Sequence, residues 1–436
     1  MKRDAPKGSS ALAKKLLGRL SRRQRELVEA ATLVAKRQGV PAYLVGGPVR
    51  DLVLGSRNGD LDLALVGDAT AYAKALAAHL GAGVTIHRRF GTATLILPDG
   101  LRLDVATARR ESYAHPAALP DVSAGTIQED LFRRDFTINA VAIRLAPRKG
   151  EVLDPFGGLE DLRRGLLRSL HEASYRDDPT RIFRGARYAA RYRLRLSGRD
   201  RLLIQSVLAE KVLTRLSVDR LFQEVKLLFG EPRPEAVLKM LENHGVLGAL
   251  DPALALGPNT RAQVRRVRLA WERTHHLGIF PGLRRWRLYL MVLLLSVPSR
   301  VRHRAGRHMG MKGPPLDALV MALRELPGLR EKLDQRHLRA SRLRRLLDRV
   351  SGEMRLLIWA TGGRQVRKRV EQYLTRLASV RPVLTGHDLQ RLGYPPGPTY
   401  RRMLDLLLEG RLDGRLHSRD DEVAFLRHRF GRGSRM

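Results

Sequence analysis

Cysteine is absent from the 436 residues of this chain, and aromatic and acidic residues are scarce. Without thiols, neither disulfides nor thiolate metal sites can form, which fits a reducing compartment. Aromatic residues make up 5% of the chain, and 44 acidic residues face 81 Lys and Arg, so the formal net charge is +37. A polyanion is the expected partner, and because the basic residues run along the whole chain we expect a broad phosphate-binding surface. A compositional bias of the genome would explain part of the arginine excess equally well.

Long hydrophobic runs are missing as well. The longest apolar run, residues 288–297, is about half as long as a bilayer span and follows three arginines. The first fifteen residues carry charge but no apolar stretch of the kind found in secretory signals. We therefore expect a cytoplasmic protein without membrane association, in which residues 288–297 form a buried helix.

The texture of the sequence changes along the chain. Residues 1–10 resemble a disordered leader, and a helical period runs from about Leu12 to Arg37 and ends near Gly39. From Ala42 to Ile143, short alternating runs such as "AYLVG", "LDLALV", "TATLIL" and "LRLDVA" surround one clear helix, "ATAYAKALAAHLG". Beyond about Leu162 only amphipathic helices are evident. The predicted fold class is α+β, with a mixed head followed by helices.

Two aspartates flank one leucine in the first of these runs, "GDLDLAL". Side chains at positions i and i+2 of a strand point to one face, so Asp60 and Asp62 project together. Two such carboxylates can hold Mg²⁺, whose ligands are oxygens and which commonly bridges to substrate phosphates. The spacing alone is also typical of a half-exposed strand.

A glycine turn precedes the acid pair in "YLVGGPVRD". Gly46 and Gly47 let backbone N–H groups approach a phosphate, a helix beginning near Pro48 directs its positive end there, and Arg50 adds a forked cation. No Lys-Ser/Thr follows the glycines, which excludes a P-loop. The alternative is a strand-to-helix turn that needs glycine only for its dihedral angles.

A third acid lies on another predicted strand, in "LRLDVATARR". Asp104 is a candidate for an outer metal ligand or for orienting the attacking hydroxyl. An acid at a strand edge, paired with Arg102 or Arg109, is the alternative.

A further block, "RRDFTINAVA" at 133–142, completes a resemblance. Together with the glycine turn and the acid pair, it resembles the class II tRNA nucleotidyltransferases and the related bacterial poly(A) polymerases. Three more blocks match that family in order, and the C-terminal "LTGHDLQRLGYPPGPTYRRML" is similar to the tail of some long bacterial members. The three are "DPFGGLEDL" at 154–162, "DDPTRIFRGARYAARY" at 177–192 and "LSVDRLFQEVKLLF" at 216–229.

The resemblance implies a polymerase-beta-like nucleotidyltransferase head followed by an all-α neck, body and tail. The expected division is a flexible leader and the start of the first helix at 1–25, a head at 26–150, a neck with a nucleotide-selecting helix at 151–230, a body at 231–315 and a tRNA-binding tail at 316–436.

The resemblance also implies roles for individual residues. Asp60, Asp62 and Asp104 are the expected catalytic residues, and Asp60 and Asp62 the expected ligands of two Mg²⁺ ions. The expected nucleotide-binding residues are Gly46, Gly47, Arg50, Arg134, Asp135, Asn139, Asp178, Arg181, Arg184 and Arg187. Asp177 departs from the family, which usually has Glu at that position.

The block at 177–192 has a physical interpretation of its own. Asp178 before Pro179 predicts a helix N-cap, and Arg181, Arg184 and Arg187 recur every three residues near one face. A carboxylate accepts from the exocyclic amine of cytosine or adenine, and a guanidinium donates to the acceptor nitrogen of the same edge. A solvated basic stripe would show the same spacing.

These observations predict addition of CCA, or part of it, to the 3′ end of tRNA from CTP and ATP, with release of pyrophosphate. The alternatives are a tRNA nucleotidyltransferase that adds only A, a poly(A) polymerase and, from another class, a catalytically silent RNA-binding protein. The ordinary length of the segment from Ala106 to Gln128 argues against an enzyme that adds only CC. The oligomeric state stays unknown.

Some members of the family that this chain resembles carry a metal-dependent phosphohydrolase domain, but the candidate histidines of this chain lack partners at useful spacing. His275, His276 and His387 are the residues concerned. We expect capping boxes instead, one from Thr385 to Asp388 and one from Ser418 to Asp421.

Overall fold

The computed structural model describes residues 9–56, 59–88, 91–280 and 282–431. The chain divides into two units, the first comprising residues up to Pro232 with Ala236–Leu250, the second Arg233–Glu235 with Asp251 and all that follows. Most of the expected leader, residues 1–8, lies outside the described residues. Ser9 and Ser10 were expected in that leader but belong to the first helix. The Ser9 hydroxyl explains this order, because it donates to the Val152 carbonyl at 3.0 Å and accepts from the Val152 N–H at 2.8 Å.

Eleven strands lie among the described residues, all in the first unit. They are β1 Ala42–Val45, β2 Leu61–Leu65, β3 Gly83–His87, β4 Thr92–Ile96, β5 Arg102–Thr107, β6 Arg109–Ser112, β7 Asp121–Ala124, β8 Ala142–Ala146, β9 Glu151–Leu153, β10 Leu166–Leu167 and β11 Arg195–Leu196. The four strands and the helix predicted between Ala42 and Ile143 are confirmed.

The helices of the first unit surround and follow this sheet. They are α1 Ser9–Leu17, α2 Arg22–Gln38, α3 Gly47–Leu54, α4 Ala69–Leu80, α5 Ile127–Phe132, α6 Gly158–Arg163, α7 Ser174–Asp177, α8 Thr180–Tyr192, α9 Gly198–Ala209, α10 Val218–Gly230, α11 Pro234–Asn243 and α12 Val246–Leu250. Helix α11 begins with two residues assigned to the second unit.

The second unit is helical throughout its described residues. Its helices are α13 Pro258–His275, α14 Arg285–Ser296, α15 Arg302–His308, α16 Pro314–Asp334, α17 Ala340–Asp348, α18 Gly352–Thr361, α19 Arg364–Gln372, α20 Gly386–Arg391, α21 Pro398–Leu412 and α22 Arg419–Phe430. The π-helical turn Tyr373–Leu377 continues α19. The mixed sheet followed by helices confirms the α+β prediction.

Seven strands form one mixed sheet in the order β3-β4-β5-β2-β1-β8-β9. Only β2 and β5 run parallel, and their register places Asp62 opposite Asp104. Leu61 and Leu63 of β2 are buried in the core that α2 and α4 cover, as alternation along the strand predicts. The two central strands therefore carry the acids on one face and the core on the other.

Two predictions about element boundaries are wrong. The helical period from Leu12 to Arg37 is two helices, because Ser21 starts α2 with a capping box in which its hydroxyl bonds the Gln24 N–H and Gln24 bonds the Ser21 N–H. The neck is not entirely helical, since β10 and β11 pair in parallel. Two-residue strands carry too little periodic signal to be predicted.

The buried helix and the two capping boxes that were expected in the second unit are confirmed. Helix α14 is buried from Leu288 to Leu294. No helix among the described residues is long and apolar enough to cross a membrane. Thr385 with Asp388 and Ser418 with Asp421 form capping boxes at the starts of α20 and α22.

Three buried arginines of the second unit bind backbone carbonyls, all but one of which, that of Leu323 within α16, lie near helix ends. Arg302 donates to the carbonyls of residues 294, 297 and 323, Arg344 to those of residues 377 and 380, and Arg369 to those of residues 333, 335 and 336. Burial lowers the pKa of both Arg302 and Arg369. These guanidinium groups replace the missing hydrogen bonds of helix ends and belong to the fold.

Candidate active site

The glycine turn joins β1 to α3. Gly46 has a φ of 71°, and a Cβ at this position would lie 2.5 Å from Nη1 of Arg134. Glycine is therefore required both for the backbone conformation and for the approach of Arg134. The Gly46 N–H donates to the Val141 carbonyl at 3.3 Å, so its amide holds the turn together. Gly47 begins α3 and lines the cavity described below, so the first turn of this helix adjoins that cavity.

Arg50 is buried, and each of its three guanidinium nitrogens donates a hydrogen bond. Its Nε and Nη2 donate to Oδ1 of Asp51 at 3.0 and 2.8 Å, and Nη1 donates to Oδ1 of Asn139 at 2.7 Å. The guanidinium lies 4.4 Å from the centroid of the Tyr192 ring and 5.3 Å from that of Tyr188. The predicted forked cation is thus fixed in direction before any ligand arrives.

The block "RRDFTINAVA" places two more of the predicted residues in the same network. The Asn139 amide donates to Oδ1 of Asp135 at 2.8 Å, and this amide sits on a short 3₁₀ turn, Thr137–Asn139. Arg134 donates to Oδ2 of buried Asp130 at 2.8 Å. Burial alone would raise the pKa of Asp130, but Arg134 and Arg133 hold it below its ordinary value.

The three acids lie close together but differ in their partners. Asp60 is exposed just before β2, and Asp62 is partly buried on β2; neither accepts a hydrogen bond from any residue that the structure describes. Asp104 accepts from the Thr94 hydroxyl at 2.6 Å and pairs with Arg102 at 2.8 Å. Asp104 therefore makes the ion pair that the sequence offered as its alternative role.

Burial raises the pKa of Asp62 to about 6, with the charges of Asp104 and Asp60 adding to the effect and Arg134 opposing it. Carboxylates that accept no hydrogen bond and repel each other form an oxygen donor set that a divalent cation would stabilise. Across the described ranges, no group of three or more His, Cys, Asp or Glu converges on a point. Asp60 and Asp62 are only two carboxylates; they fit Mg²⁺ in charge and ligand type, and they would share the ion with substrate oxygens.

The helix that was expected to select the nucleotide is α8. It begins at Thr180, so Pro179 stands just before it and not at its first residue, yet Oδ1 of Asp178 accepts from the Thr180 N–H at 3.0 Å as a cap does. Oδ1 also accepts from Arg220 at 2.8 Å, whereas Oδ2 has Arg184 as a distant partner at 3.5 Å. Oδ2 thus retains capacity for another donor.

The three arginines of α8 do not form a solvated stripe. Arg181 is buried and donates to the Ser174 hydroxyl at 2.7 Å and the Arg133 carbonyl at 2.8 Å. Arg184 pairs with Asp135 at 3.4 Å, which together with Asp178 raises its pKa against the effect of burial. Arg187 pairs with two glutamates, Glu224 at 3.2 Å and Glu231 at 3.0 Å.

A cavity of about 490 Å³ brings most of the predicted residues together. Gly46, Asp60 and Asp104 do not line it: Gly46 directly precedes Gly47, Asp60 lies two positions before Asp62, and Asp104 lies opposite Asp62 on β5. The predicted residues in its lining are Gly47, Arg50, Asp62, Arg134, Asp135, Asn139, Asp178, Arg181, Arg184 and Arg187. We name this space the active-site cavity.

Sequence reasoning missed eight other residues of the lining, which are Arg109, Glu111, Tyr113, Pro120, Arg133, Tyr188, Arg191 and Arg220. Arg109, Glu111 and Tyr113 alternate along and just beyond β6. The i, i+2 rule that singled out the acid pair would have found them. Arg191 lies one helical turn beyond Arg187, so the spacing along α8 would have identified it as well.

Residues 42–168 match the family described as the poly A polymerase head domain. An A-adding tRNA nucleotidyltransferase of Halalkalibacterium halodurans is 32% identical, and the match covers 93% of this chain and 92% of that protein. The chain belongs to the tRNA nucleotidyltransferase family. The predicted resemblance is thereby confirmed.

Other members of the tRNA nucleotidyltransferase family differ in their names and lengths. A CC-adding tRNA nucleotidyltransferase of Deinococcus radiodurans is 34% identical, with 89% of each chain covered. An A-adding tRNA nucleotidyltransferase of Geobacter sulfurreducens is 36% identical over 88% of this chain, which spans only 44% of that protein.

Solved structures of the family have the same fold. A CCA-adding enzyme in an apo form has a TM-score of 0.81 at 30% identity, with 95% of this chain and 98% of that chain covered. The CCA-adding enzyme of Thermotoga maritima, solved with tRNA, has a TM-score of 0.75 at 28% identity, with 95% and 97% covered.

Proposed function

We propose that this chain extends the 3′ end of tRNA without a template, adding CCA or part of it from CTP and ATP and releasing pyrophosphate. The observation that supports this function is the carboxylate pair of Asp60 and Asp62, which accepts no hydrogen bond within the described ranges and lies beside a cavity lined mainly by arginines. Because the chain belongs to the tRNA nucleotidyltransferase family, we propose tRNA and nucleoside triphosphates as its substrates.

The residues of the active-site cavity divide the work. Asp60 and Asp62 would hold two Mg²⁺ ions, which supply activation of the terminal hydroxyl and stabilisation of the leaving pyrophosphate when bound. Arg50 and Arg134 face the triphosphate, and because Asp51, Asn139 and Asp130 fix both guanidinium groups, they need no reorganisation during the reaction. Asp104, one strand from Asp62, orients the attacking hydroxyl.

Base selection belongs to the start of α8. Oδ2 of Asp178 accepts from the exocyclic amine of cytosine or adenine, and a neighbouring guanidinium donates to the ring nitrogen. Uracil and guanine place a carbonyl against the carboxylate instead, which leaves both acceptors unpaired. Rejection on this basis costs on the order of 1–3 kcal/mol or more.

A basic cleft in the second unit supports RNA as the partner. The cleft has a volume of about 1170 Å³, and Glu409 is the single acid in its lining. Its exposed basic residues are Lys332, Arg336, His337, Arg339, Arg342, Arg345, Arg349 and Lys368, whereas Arg369 in the same lining is buried and bound to backbone carbonyls. We propose that this basic cleft binds the phosphates of tRNA by shape and charge, without reading its sequence.

The choice of nucleotides is the finer part of the proposal. Relatives named A-adding and CC-adding match this chain at similar identity, so their names do not decide the matter. The ordinary length of the segment from Ala106 to Gln128 favours an enzyme that handles A. We place complete CCA addition first and A addition alone second.

Three tRNA transcripts that lack CCA, CA or the terminal A test this choice when each is incubated with Mg²⁺ and single or mixed nucleotides. Extension of all three to CCA identifies the complete enzyme, and a single A added only to the CC-ending transcript identifies the A-adding form. Long A tails on unrelated RNA identify a poly(A) polymerase. Salt-sensitive binding without incorporation, indifferent to Mg²⁺, identifies the silent binder.

The metal assignment has its own test. Asp60→Ala should abolish incorporation and leave the Kd for tRNA nearly unchanged, because the exposed carboxylate holds the ion and not the RNA. Asp121→Ala, which removes an exposed acid of β7, is the matched control and should retain activity. Retained turnover in Asp60→Ala would contradict the assignment of Asp60.

A further inference from the structure

Three rings form a small aromatic surface in the first unit, outside the active-site cavity. Phe132 ends α5, Phe156 follows β9, and His171 follows β10. The Phe132 ring lies 5.7 Å from that of Phe156 and 5.2 Å from that of His171, between ring centroids. We name these three residues the aromatic shelf.

Phe132 is unusual among the aromatic residues of this chain. It is 46% exposed, and no other Phe, Tyr or Trp among the described residues is an exposed large hydrophobic residue. A single exposed apolar side chain needs no explanation. A phenylalanine exposed beside two other rings, in a chain with 5% aromatic residues, indicates a surface kept open for a flat ligand.

The aromatic shelf lines a cavity of about 680 Å³ that adjoins the active-site cavity. The two cavities share four lining residues, which are Glu111, Tyr113, Arg133 and Arg181. The two cavities are therefore neighbours that are divided by these four side chains. A strand of RNA whose end lies in one cavity is close enough to place a neighbouring nucleotide in the other.

The charges around the shelf select among flat ligands. Three acids, Glu111, Glu129 and Asp177, line this cavity with three arginines. Arg133 is bound to Glu111 and Asp130, and Arg181 to Ser174 and the Arg133 carbonyl. Arg110 remains as an exposed cation, with its Nε on the Ser123 hydroxyl at 2.8 Å. One cation suits the single charge of a phosphodiester, and the acids disfavour a free triphosphate.

We propose that the aromatic shelf binds one unpaired base at the 3′ end of the RNA substrate, by stacking on Phe132, while Arg110 contacts its phosphate. This inference rests on the proposed function, because it presumes an RNA end in the active-site cavity. Stacking tolerates any base, since every base has a π face. The shelf therefore holds the end of the RNA without selecting its sequence. Burial lowers the pKa of His171 to about 4, with Arg181 and Arg199 adding to the effect, so its ring is neutral and suited to stacking at physiological pH.

The test compares an RNA hairpin that ends in three unpaired nucleotides with the same hairpin cut flush at its last base pair. Both Kd values are measured without Mg²⁺, so that binding is separated from incorporation. Phe132→Leu should raise the Kd for the hairpin with unpaired nucleotides about five- to tenfold, which is the lower end of the effect of one stacked base. The Kd for the flush hairpin and the KM for ATP should not change.

Two further variants test whether the effect of Phe132→Leu comes from the loss of the aromatic ring. Phe132→Trp should restore binding, because it keeps a stacking face. Phe222→Leu is the matched control, since Phe222 lies on α10 beside Lys226 and outside the shelf cavity, and it should bind both hairpins as the parent does. In addition, 2-aminopurine placed at each unpaired position should be quenched at one position by the parent and not by Phe132→Leu.

The outcomes are distinguishable. The proposal for the aromatic shelf would be overturned if Phe132→Leu weakened the binding of both hairpins equally, weakened the binding of neither, or changed only the KM for ATP. If the parent incorporates nucleotides but Phe132→Leu binds normally, the shelf fails and the proposed function stands. If the parent incorporates nothing, the proposed function fails, and the two Kd values still report whether the shelf binds an unpaired base.

Discussion

His171 illustrates how one side chain links the site to the stability of the first unit. Its Nδ1 lies 3.9 Å from Asp177, and its Nε2 lies 3.4 Å from Nη1 of Arg181. The folded protein lowers the pKa of this imidazole from the ordinary 6.5 to about 4, first by burial and then by the charges of Arg181 and Arg199. The unfolded chain therefore takes up a proton at a pH where the folded protein does not.

This difference predicts a loss of stability in acid. As the pH falls from about 6.5 to about 4, proton uptake by the unfolded chain should reduce the free energy of unfolding by up to about 3 kcal/mol. His171→Gln removes this contribution, so the gap between parent and variant should shrink towards low pH when both are unfolded with urea. His79→Gln, at an exposed position of α4, is the control. A gap that stays constant between pH 7 and pH 4 would contradict the prediction.

At the residue scale, the sequence predicts which residues come together at the site better than it predicts the contacts that fix their side chains. Asp60, Asp62 and Gly47 follow from local spacing, because strand alternation and turn geometry are local properties. The partners of Arg50 do not, since Asn139 is 89 positions away and only the fold brings it to 2.7 Å. The contact between Gly46 and Arg134 is of the same kind. Long-range contacts of this sort leave no mark on the spacing of either residue.

At the scale of elements, α2 supports the strand that carries the acid pair. Gln24 belongs to the capping box of α2, and its Nε2 also donates to the Gly59 carbonyl at 3.3 Å. Gly59 directly precedes Asp60. The start of α2 therefore fixes the backbone from which the exposed carboxylate projects.

Gln24→Glu separates the two roles of this side chain. The carboxylate still accepts from the Ser21 N–H, so α2 keeps its capping box, but it cannot donate to the Gly59 carbonyl. We expect half-maximal incorporation to need roughly fivefold more Mg²⁺, the equivalent of one hydrogen bond of about 1 kcal/mol. A Mg²⁺ titration of incorporation measures this change, and the Kd for tRNA should stay at the parent value. An unchanged Mg²⁺ requirement would show that Gln24 serves the helix alone.

Elements with several turns or alternating residues are predictable from this sequence, and short ones are not. Helix α4 and the four strands β1, β2, β4 and β5 follow from periodicity. The division of the first helical period was visible in Ser21 and Gln24, which carry the capping-box spacing. In the hairpin of β6 and β7, β6 has exposed and partly buried residues and β7 is exposed throughout, so the hairpin lacks the hydrophobic contrast that marks a strand.

At the scale of the whole molecule, the net charge of +37 has more than one origin. Buried Arg302, Arg344 and Arg369 bind carbonyls of helix ends and contribute charge without offering donors to a phosphate. The exposed arginines and lysines of the basic cleft are different, because solvent reaches them. The sequence predicts a polyanion as the partner, but only the packing tells which cations are available to it.

The basic cleft gives a prediction about salt. Arg342 and Lys368 are exposed and line the cleft, so the double variant R342A/K368A should bind tRNA more weakly. The slope of log K against log salt should become shallower by about 0.7–0.9 for each phosphate that the variant no longer neutralises. The control is R265A, on α13 outside the cleft. A weaker affinity with an unchanged slope would mean that the two residues act through the fold and not through phosphates.

The hydroxyl of Ser9 has a consequence for how copies of this chain meet. At one edge of the sheet it forms hydrogen bonds with both the N–H and the C=O of Val152, so these backbone groups of β9 cannot pair with a strand from another molecule. The opposite margin, β3, is exposed along most of its length. A molecule with one open margin can pair once and stop, whereas one with two can add neighbours without limit. Helix α1 therefore protects one edge of the sheet from strand pairing. A variant that lacks α1 would expose both edges, and its molecules could then assemble without limit.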